Sequence, residues 1–373
     1  MKNSDSERII RDLFSSAGIA INGENPYDIQ VHNDQFYQRV LAESSLGFGE
    51  SFMDGWWDCD AIDQLVCKMH KANVREKVKG NLKVMLPVVK SKLLNLQAKT
   101  RAYEIGKKHY DIGNDLYQRM LGRTMAYTSA YWKHAKNLDD AQEAKMDLVC
   151  KKTNLRPGMT VLELGCGWGS FAKYAAEKYG VEVTGVTVSK EQVELGNERC
   201  KGLPIEIKLD DYRNVKGRYD VVISIGILEH VGYKNYRTYM EVANRCLKDD
   251  GIAFAHTIGG NTSRTAIDPW IDKYIFPNAM LPSIAQLANA MEGIFVVEDW
   301  HNFGPDYDTT LMAWHKNFEN AWPELKNKYG RRFYRMWKFY LLSCAGGFRA
   351  RYNQLWQIVM TKQGRSQPEC RFN

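Results

Sequence analysis

The chain has 373 residues, 44% of them apolar and 25% charged, which is too apolar for disorder and long enough for one large domain with an appendage or for two. Its net charge of +7 conceals two basic segments, 68–108 at +10 and 324–373 at +9, on a remainder of −12, so an anionic partner is expected, either nucleic acid or an anionic lipid surface. No apolar run approaches the ~18 residues a membrane-spanning helix needs, and the polar stretch 1–11 has no secretory-signal pattern.

Residues 1–66 read as a small, mostly helical unit. Helical spacing over 7–13 is followed by a turn at 23–26 and a second helix over 34–41. The stretch 46–57, rich in glycine and aromatic residues, reads as a buried connection. Across 74–97, Leu82, Met85, Leu86, Val89, Leu93 and Leu96 recur at helical spacing with Lys83, Lys90 and Lys92 among them, and Pro87 should kink the helix. Two readings of that helix stand open: a linker packed on the body, or an amphipathic helix lying on an anionic bilayer.

From about residue 155 strands and helices alternate. Strands are predicted over 160–164, 182–186, 205–209, 219–225 and 252–256, with helices over 171–179, 190–200 and 235–247. Such repetition means a doubly wound, mostly parallel sheet of the α/β class. The pattern breaks after Ile258 in a segment rich in aromatics and proline, and an insertion of that size beside a sheet's carboxyl edge is expected to cover a substrate. A strand over 295–300, a long helix from Thr309, a helix over 333–344 and a strand over 354–360 complete the chain. The expected division is a small helical N-terminal domain and linker over 1–95, then an α/β domain over 96–373 with an insertion at about 259–294.

The eight cysteines are scattered without a C-x-x-C pair, so neither a zinc site nor a disulfide framework is supported, and reduced thiols in a cytosolic protein are expected. The run Val161-Leu-Glu-Leu-Gly-Cys-Gly-Trp-Gly169 joins a predicted strand to a predicted helix. Its glycines let a backbone approach a ligand closely. A dinucleotide site would need G-x-G-x-x-G and an acid at the next strand's tip, but this loop is G-x-G-x-G and that tip reads Val186-Thr-Val-Ser-Lys-Glu-Gln192. The loop instead resembles the S-adenosylmethionine loop of class I methyltransferases, a Rossmann-like fold.

Longer motifs make the resemblance specific: Gly49-Glu-Ser-Phe-Met-Asp-Gly-Trp-Trp57, His109-Tyr-Asp-Ile-Gly-Asn114, Glu229-His-Val231, His256-Thr-Ile258, Asp268-Pro-Trp-Ile-Asp-Lys-Tyr-Ile-Phe-Pro277, Trp300-His-Asn-Phe-Gly304, Tyr307-Asp-Thr-Thr310 and Ala345-Gly-Gly-Phe-Arg-Ala350. Over nearly its full length the chain resembles the cyclopropane-fatty-acyl-phospholipid synthase family, of the bacterial type with an N-terminal extension, within the wider mycolic acid cyclopropane synthases. The resemblance implies methylene transfer from S-adenosylmethionine to a cis double bond of a phospholipid acyl chain. It implies a bound bicarbonate as the base, held by Glu229, His256 and Tyr307 with backbone N–H groups near Ile258 and Ser129. Ser129 stands where the family commonly has cysteine, which bears on activity only if the thiol itself works. Cys344 matches a family cysteine and joins the catalytic candidates, although packing is its ordinary role.

For the cofactor the resemblance implies Gly165 and Gly167 at the methionine moiety, with Cys166 and Gly169 in the same loop. Thr187 and Gln192 fall at the ribose, Asp211 and Tyr212 at the adenine, and Tyr127 and Thr128 over the cofactor. Tyr131, Trp168, Tyr274 and Phe303 join Tyr127 and Tyr307 as aromatic pocket candidates, and His109 and Tyr110 as shapers of the entrance. Implied partners are a bilayer with unsaturated acyl chains and an anionic surface, with no nucleic acid and a possible homodimer. The implied location is cytoplasmic, on the inner membrane surface. An amine N-methyltransferase of the same fold is the alternative.

Overall fold

A computed structural model describes residues 3–74 and 113–372. The amphipathic helix expected over 74–97 and its Pro87 kink, most of the first basic segment, and His109 and Tyr110 lie outside the described residues. The chain forms two compact units that do not follow a single cut near residue 95. One gathers the described part of 1–94 with 265–277 and 307–353; the other takes 95–264, 278–306 and 354–373 in the same sense. The insertion at 259–294 is therefore shared between them.

The first unit contains helices α1 (Asn3–Ser15), α2 (Gln35–Glu43), α3 (Ser45–Met53) and α4 (Ile62–Lys71), with a two-stranded antiparallel ribbon of β1 (Gln30–Val31) and β2 (Trp57–Asp58). The connection expected over 46–57 is buried as read, but most of it is helix α3. Glycine disfavours a helix interior by ~1 kcal/mol, and packing overrides that here. A Cβ on Gly49 would lie 2.4 Å from the Trp270 ring, so only glycine lets α3 pass under that indole. Trp57 stacks on Phe48 at 4.4 Å, and Phe339 packs on Trp270 at 4.8 Å. Lys273 and Tyr274 both donate to Glu50 Oε1, at 2.6 and 2.7 Å. These contacts hold residues 265–277 and 307–353 to the N-terminal helices.

That packing also uses much of the second basic segment. Arg332 pairs with Asp54 at 3.0 Å, Arg335 with Asp58 at 2.7 Å, and Arg349 with Asp63 and, at 2.8 Å, Asp308. In the other unit Lys362 pairs with Asp249 at 3.1 Å. Segment 324–373 is thus in good part internally neutralised rather than a free basic face.

The second unit is a seven-stranded sheet of β3 (Thr160–Leu164), β4 (Glu182–Thr187), β5 (Ile205–Leu209), β6 (Tyr219–Ile225), β7 (Leu247–Gly260), β8 (Val296–Asn302) and β9 (Asn353–Thr361), in the order β5-β4-β3-β6-β7-β9-β8. Strands β3 to β7 pair in parallel, and β8 runs antiparallel to β9. This is the class I methyltransferase, Rossmann-like arrangement. One face packs on α10 (Tyr236–Cys246) and α12 (Ile284–Met291) through Tyr236, Met240, Leu287 and Met291. The other packs on α6 (Leu138–Lys152) and α7 (Ser170–Tyr179) through Met146, Val149, Phe171 and Ala175. The second unit also holds α5 (Asn114–Leu121), α8 (Lys190–Arg199) and the single turn α9 (Leu228–Val231); α11 (Pro269–Tyr274) belongs to the first unit. The helix α13 (Pro305–Arg349) breaks at Gly330, at φ 76° and ψ 166°, which separates the two helices expected there. Helices α4, α5 and α6 escape the sequence reading.

Candidate active site

Chain order reverses where β3 lies beside β6, and in such sheets ligands sit beyond the carboxyl ends of the strands at that point. The loop after β3 and Gly226–Ile227 after β6 open there into a cavity of ≈ 1210 Å³, its mouth included. Gly165 holds φ 76°, a region costly for a side chain, and its N–H donates to Val186 O at 2.9 Å.

Tyr127, Thr128, Gly165, Cys166, Gly167, Thr187, Gln192, Asp211 and Tyr212 all line this cavity. Thr187 Oγ1 donates to Gln192 Oε1 at 2.6 Å, and Ser189 caps α8, so the tip of β4 and the first turn of α8 present one joined polar edge. Asp211 is committed internally: Arg213 reaches its two oxygens through Nε at 2.8 Å and Nη2 at 2.7 Å. Tyr212 is buried, its hydroxyl is pushed up to about 12, and it has no hydrogen-bond partner among the described residues. Gly169, expected at the cofactor, is absent from the lining. A Cβ there would meet Ile207 at 2.8 Å and Cys200 Sγ at 3.0 Å, so its smallness serves the packing of the loop on β5 and α8.

Of the anion-site candidates, Glu229 and His256 are brought to one region. Glu229 Oε1 accepts the Ile258 N–H at 2.6 Å, two residues beyond His256 on β7. Its own backbone is fastened to the insertion, because Met280 N–H donates to Glu229 O at 2.7 Å. Burial pushes the Glu229 carboxyl up to about 7, and Oε2 has no hydrogen-bond partner among the described residues. His256 is 1% exposed and held neutral, first by burial and then by the charges of Lys145 and Lys152. Gln357 Nε2 lies 3.4 Å from His256 Nδ1, and with that amide donating, Nε2 carries the proton; Nε2 has no partner among the described residues. The Ile258 N–H, expected to face an anion, is thus given to Glu229. The Ser129 hydroxyl donates to Ala130 O at 3.0 Å.

Aromatic rings close around His256. Phe303 meets it edge-on at 5.8 Å, and Tyr131 meets Phe303 at 5.5 Å. Lys152, 1% exposed, bonds Asp299 at 2.8 Å and His301 Nδ1 at 3.2 Å behind them. Trp168, expected among the pocket aromatics, and Tyr127, expected both there and over the cofactor, line this cavity, and Tyr117 packs on both at 5.0 and 5.2 Å.

Tyr307, Tyr274 and Cys344 belong to the first unit. Tyr307 stacks on Phe348 at 4.5 Å, and the Tyr274 hydroxyl is used by Glu50. Burial pushes the Cys344 thiol up to about 12, so it is protonated at neutral pH and no thiolate nucleophile.

The sequence reading passes over Lys145, His230 and Asp210, and gives Glu163 no role; all four line the cavity. Burial pushes His230 down to about 4, so it is neutral. Lys145 had one available signal, the capped helix around it. Asn137 accepts from the Asp140 N–H, acids occupy the first turn, and Ala141, Met146 and Val149 recur on the buried side.

A family model described as mycolic acid cyclopropane synthetase matches residues 97–358. The cyclopropane-fatty-acyl-phospholipid synthase of Escherichia coli (strain K12) is 52% identical over 355 residues, covering 95% of this chain and 93% of its own. Among solved structures, a mycolic acid cyclopropane synthase complexed with SAH and CTAB aligns at TM-score 0.66 and 29% identity, over 70% of this chain and 98% of its own. Coclaurine N-methyltransferase aligns at TM-score 0.70 over 84% of this chain and 99% of its own, but at 22% identity, a likeness of fold alone.

Proposed function

The chain belongs to the mycolic acid cyclopropane synthetase family and is an S-adenosylmethionine-dependent methyltransferase, and we propose that it converts cis double bonds of phospholipid acyl chains into cyclopropane rings with a bound bicarbonate as base. The observation that carries the chemistry is the pair of buried atoms, Glu229 Oε2 and His256 Nε2, left without partners among the described residues beside a ring-lined region. A buried polar atom without a partner costs ~1–3 kcal/mol, so such atoms point to a ligand.

S-adenosylmethionine supplies the one-carbon unit when bound. An unactivated alkene is a poor nucleophile, so the pocket's first contribution is to hold the double bond in line. Phe303 and Tyr131 offer ring faces and edges that exclude water while tolerating positive charge on the lipid chain. His256 Nε2–H donates to the bicarbonate, and Glu229 Oε2 accepts from its hydroxyl and so orients it to take the proton that leaves as the ring closes. In this reading the Ile258 N–H holds Glu229 in place. Ser129 works through its backbone, so the missing thiol leaves activity intact, and Cys344 is a packing residue.

The deciding experiment incubates the purified protein with S-adenosylmethionine and vesicles of unsaturated phospholipid, followed by mass spectrometry of the acyl chains. Chains heavier by one CH2 with the double bond lost are expected. A methyl gained on nitrogen, or no lipid product, would contradict the assignment.

Access to the bilayer is proposed to come from segment 68–108, on the inner membrane surface, since the second basic segment is partly neutralised by its own ion pairs. Binding to anionic vesicles is then expected to weaken steeply as salt rises and with neutral lipid. Salt-independent binding measured by flotation would count against it.

A further inference from the structure

Helix α6 carries two lysines on its buried side, and Lys145 has no task in the reaction outlined above. It is 2% exposed and lines the cofactor cavity. Its Nζ donates to Thr128 Oγ1 at 2.9 Å. One turn earlier on the same helix, Gln142 Nε2 donates to Thr128 O at 2.8 Å and lies 3.3 Å from Ala126 O. The segment 126–128, which walls the cavity, is therefore hung from two buried polar side chains of α6.

The same cavity receives Glu163 from β3, two residues before Gly165. Glu163 is 3% exposed, and its Oε2 has no hydrogen-bond partner among the described residues. Burial pushes Lys145 down and Glu163 up, and each charge partly offsets the other's displacement. A buried ammonium or carboxylate costs several kcal/mol unless compensated. A methionine at position 145 and a leucine at 163 would pack a sheet–helix interface without that cost. The cavity thus keeps an acid and a base, both dry, beside the opened backbone of Gly165 and Gly167.

The ligand chemistry complementary to that arrangement carries an ammonium and a carboxylate on one carbon, as an α-amino acid does. An ammonium has three donors, and Thr128 Oγ1 accepts one of Lys145's. A carboxylate would take the others, and a charge-assisted bond of this kind is about twice as strong as a neutral one.

We propose that Lys145 is the residue that binds the carboxylate at the amino-acid end of S-adenosylmethionine, with Glu163 as its charge partner across the cavity. The proposal rests on the reading that this cavity holds S-adenosylmethionine. Because Lys145 also holds Thr128, binding the carboxylate tightens the 126–128 wall over the cofactor.

The test is a ligand–variant cycle by titration calorimetry. Wild type, Lys145→Met and Lys145→Arg are each titrated with S-adenosylmethionine and with its decarboxylated analogue, which keeps the sulfonium, the amine and the nucleoside. Wild type is expected to bind S-adenosylmethionine at least ~10-fold more tightly than the analogue. Lys145→Met should lose ~10–100-fold toward S-adenosylmethionine while its affinity for the analogue changes by less than about twofold, and Lys145→Arg should recover part of the loss. Equal losses toward both ligands, or no loss toward S-adenosylmethionine, would overturn the proposal. Equal affinity of the wild type for both ligands would overturn it even if Lys145→Met does not fold. A wild type that binds neither S-adenosylmethionine nor S-adenosylhomocysteine would instead overturn the reading of the cavity itself.

Discussion

Replacing Glu229 by glutamine is expected to lower turnover by about two to four orders of magnitude while changing S-adenosylmethionine affinity by less than about twofold. The substitution keeps size and shape, and the amide oxygen can still accept the Ile258 N–H that now goes to Oε1. What changes is the other atom. In place of Oε2, a buried acceptor without a partner among the described residues, the side chain presents an NH2 donor. If His256 Nε2–H donates to a bicarbonate there, as proposed above, the anion's hydroxyl then loses its acceptor, and the anion turns or leaves. Glu229 does not line the cofactor cavity, so binding there should persist. Steady-state turnover on vesicles and calorimetry with S-adenosylmethionine separate the two effects. Loss of cofactor affinity in step with turnover would make Glu229 a structural residue.

Replacing Gly259 by alanine is expected to destabilise the protein by about 1–3 kcal/mol and to lower turnover below the melting temperature. A Cβ at 259 would lie 2.0 Å from Trp356 Cζ3 and 2.2 Å from Cη2, closer than any real contact. The indole has nowhere to go: Trp356 is 1% exposed, and Trp300 packs edge-on against it at 5.5 Å. The strain falls on β9, where the next residue is Gln357, the neighbour of His256 Nδ1. The same clash that costs stability therefore tilts the histidine. Thermal unfolding by circular dichroism and turnover at 25 °C check both halves, and an alanine variant that melts with wild type would show that β7 and β9 can part without cost.

Much of the site was legible in the chain because its signals are local. The loop from Gly165 to Gly169 joins a strand to a helix within a few residues, and the glycine spacing with the tip at Thr187 and Gln192 speaks against a dinucleotide before any tertiary contact is known. Nine of the ten expected cofactor residues line the cavity. Glu229 and His256 came from motifs at strand ends, which a parallel sheet places on one edge.

Other features were not legible, for reasons that differ. Glycines at 47 and 49 argue against a helix by propensity, and only Trp270, more than two hundred residues later, explains why α3 keeps Gly49. A lysine within a charged helix reads as a solvated side chain, and the one local signal at Lys145, the capped helix with Ala141, Met146 and Val149 on its buried side, is easily outweighed by that reading. Gly169 belongs to the motif by spacing, yet its neighbours Ile207 and Cys200 make it a packing residue. The cations of 324–373 sum to a basic segment until the acids that pair with them, Asp54, Asp58, Asp63 and Asp308, are brought in from distant parts of the chain.

By itself, then, the sequence determined the class of fold, the glycine loop that opens into the cavity and the strand-end positions of Glu229 and His256, because periodicity, turn chemistry and strand-end motifs act over a few residues. Tertiary structure alone decided which polar atoms go without partners, which charges cancel, and that residues 265–277 and 307–353 join the N-terminal helices. Burial and pairing depend on residues far apart in the chain, and no local pattern records them.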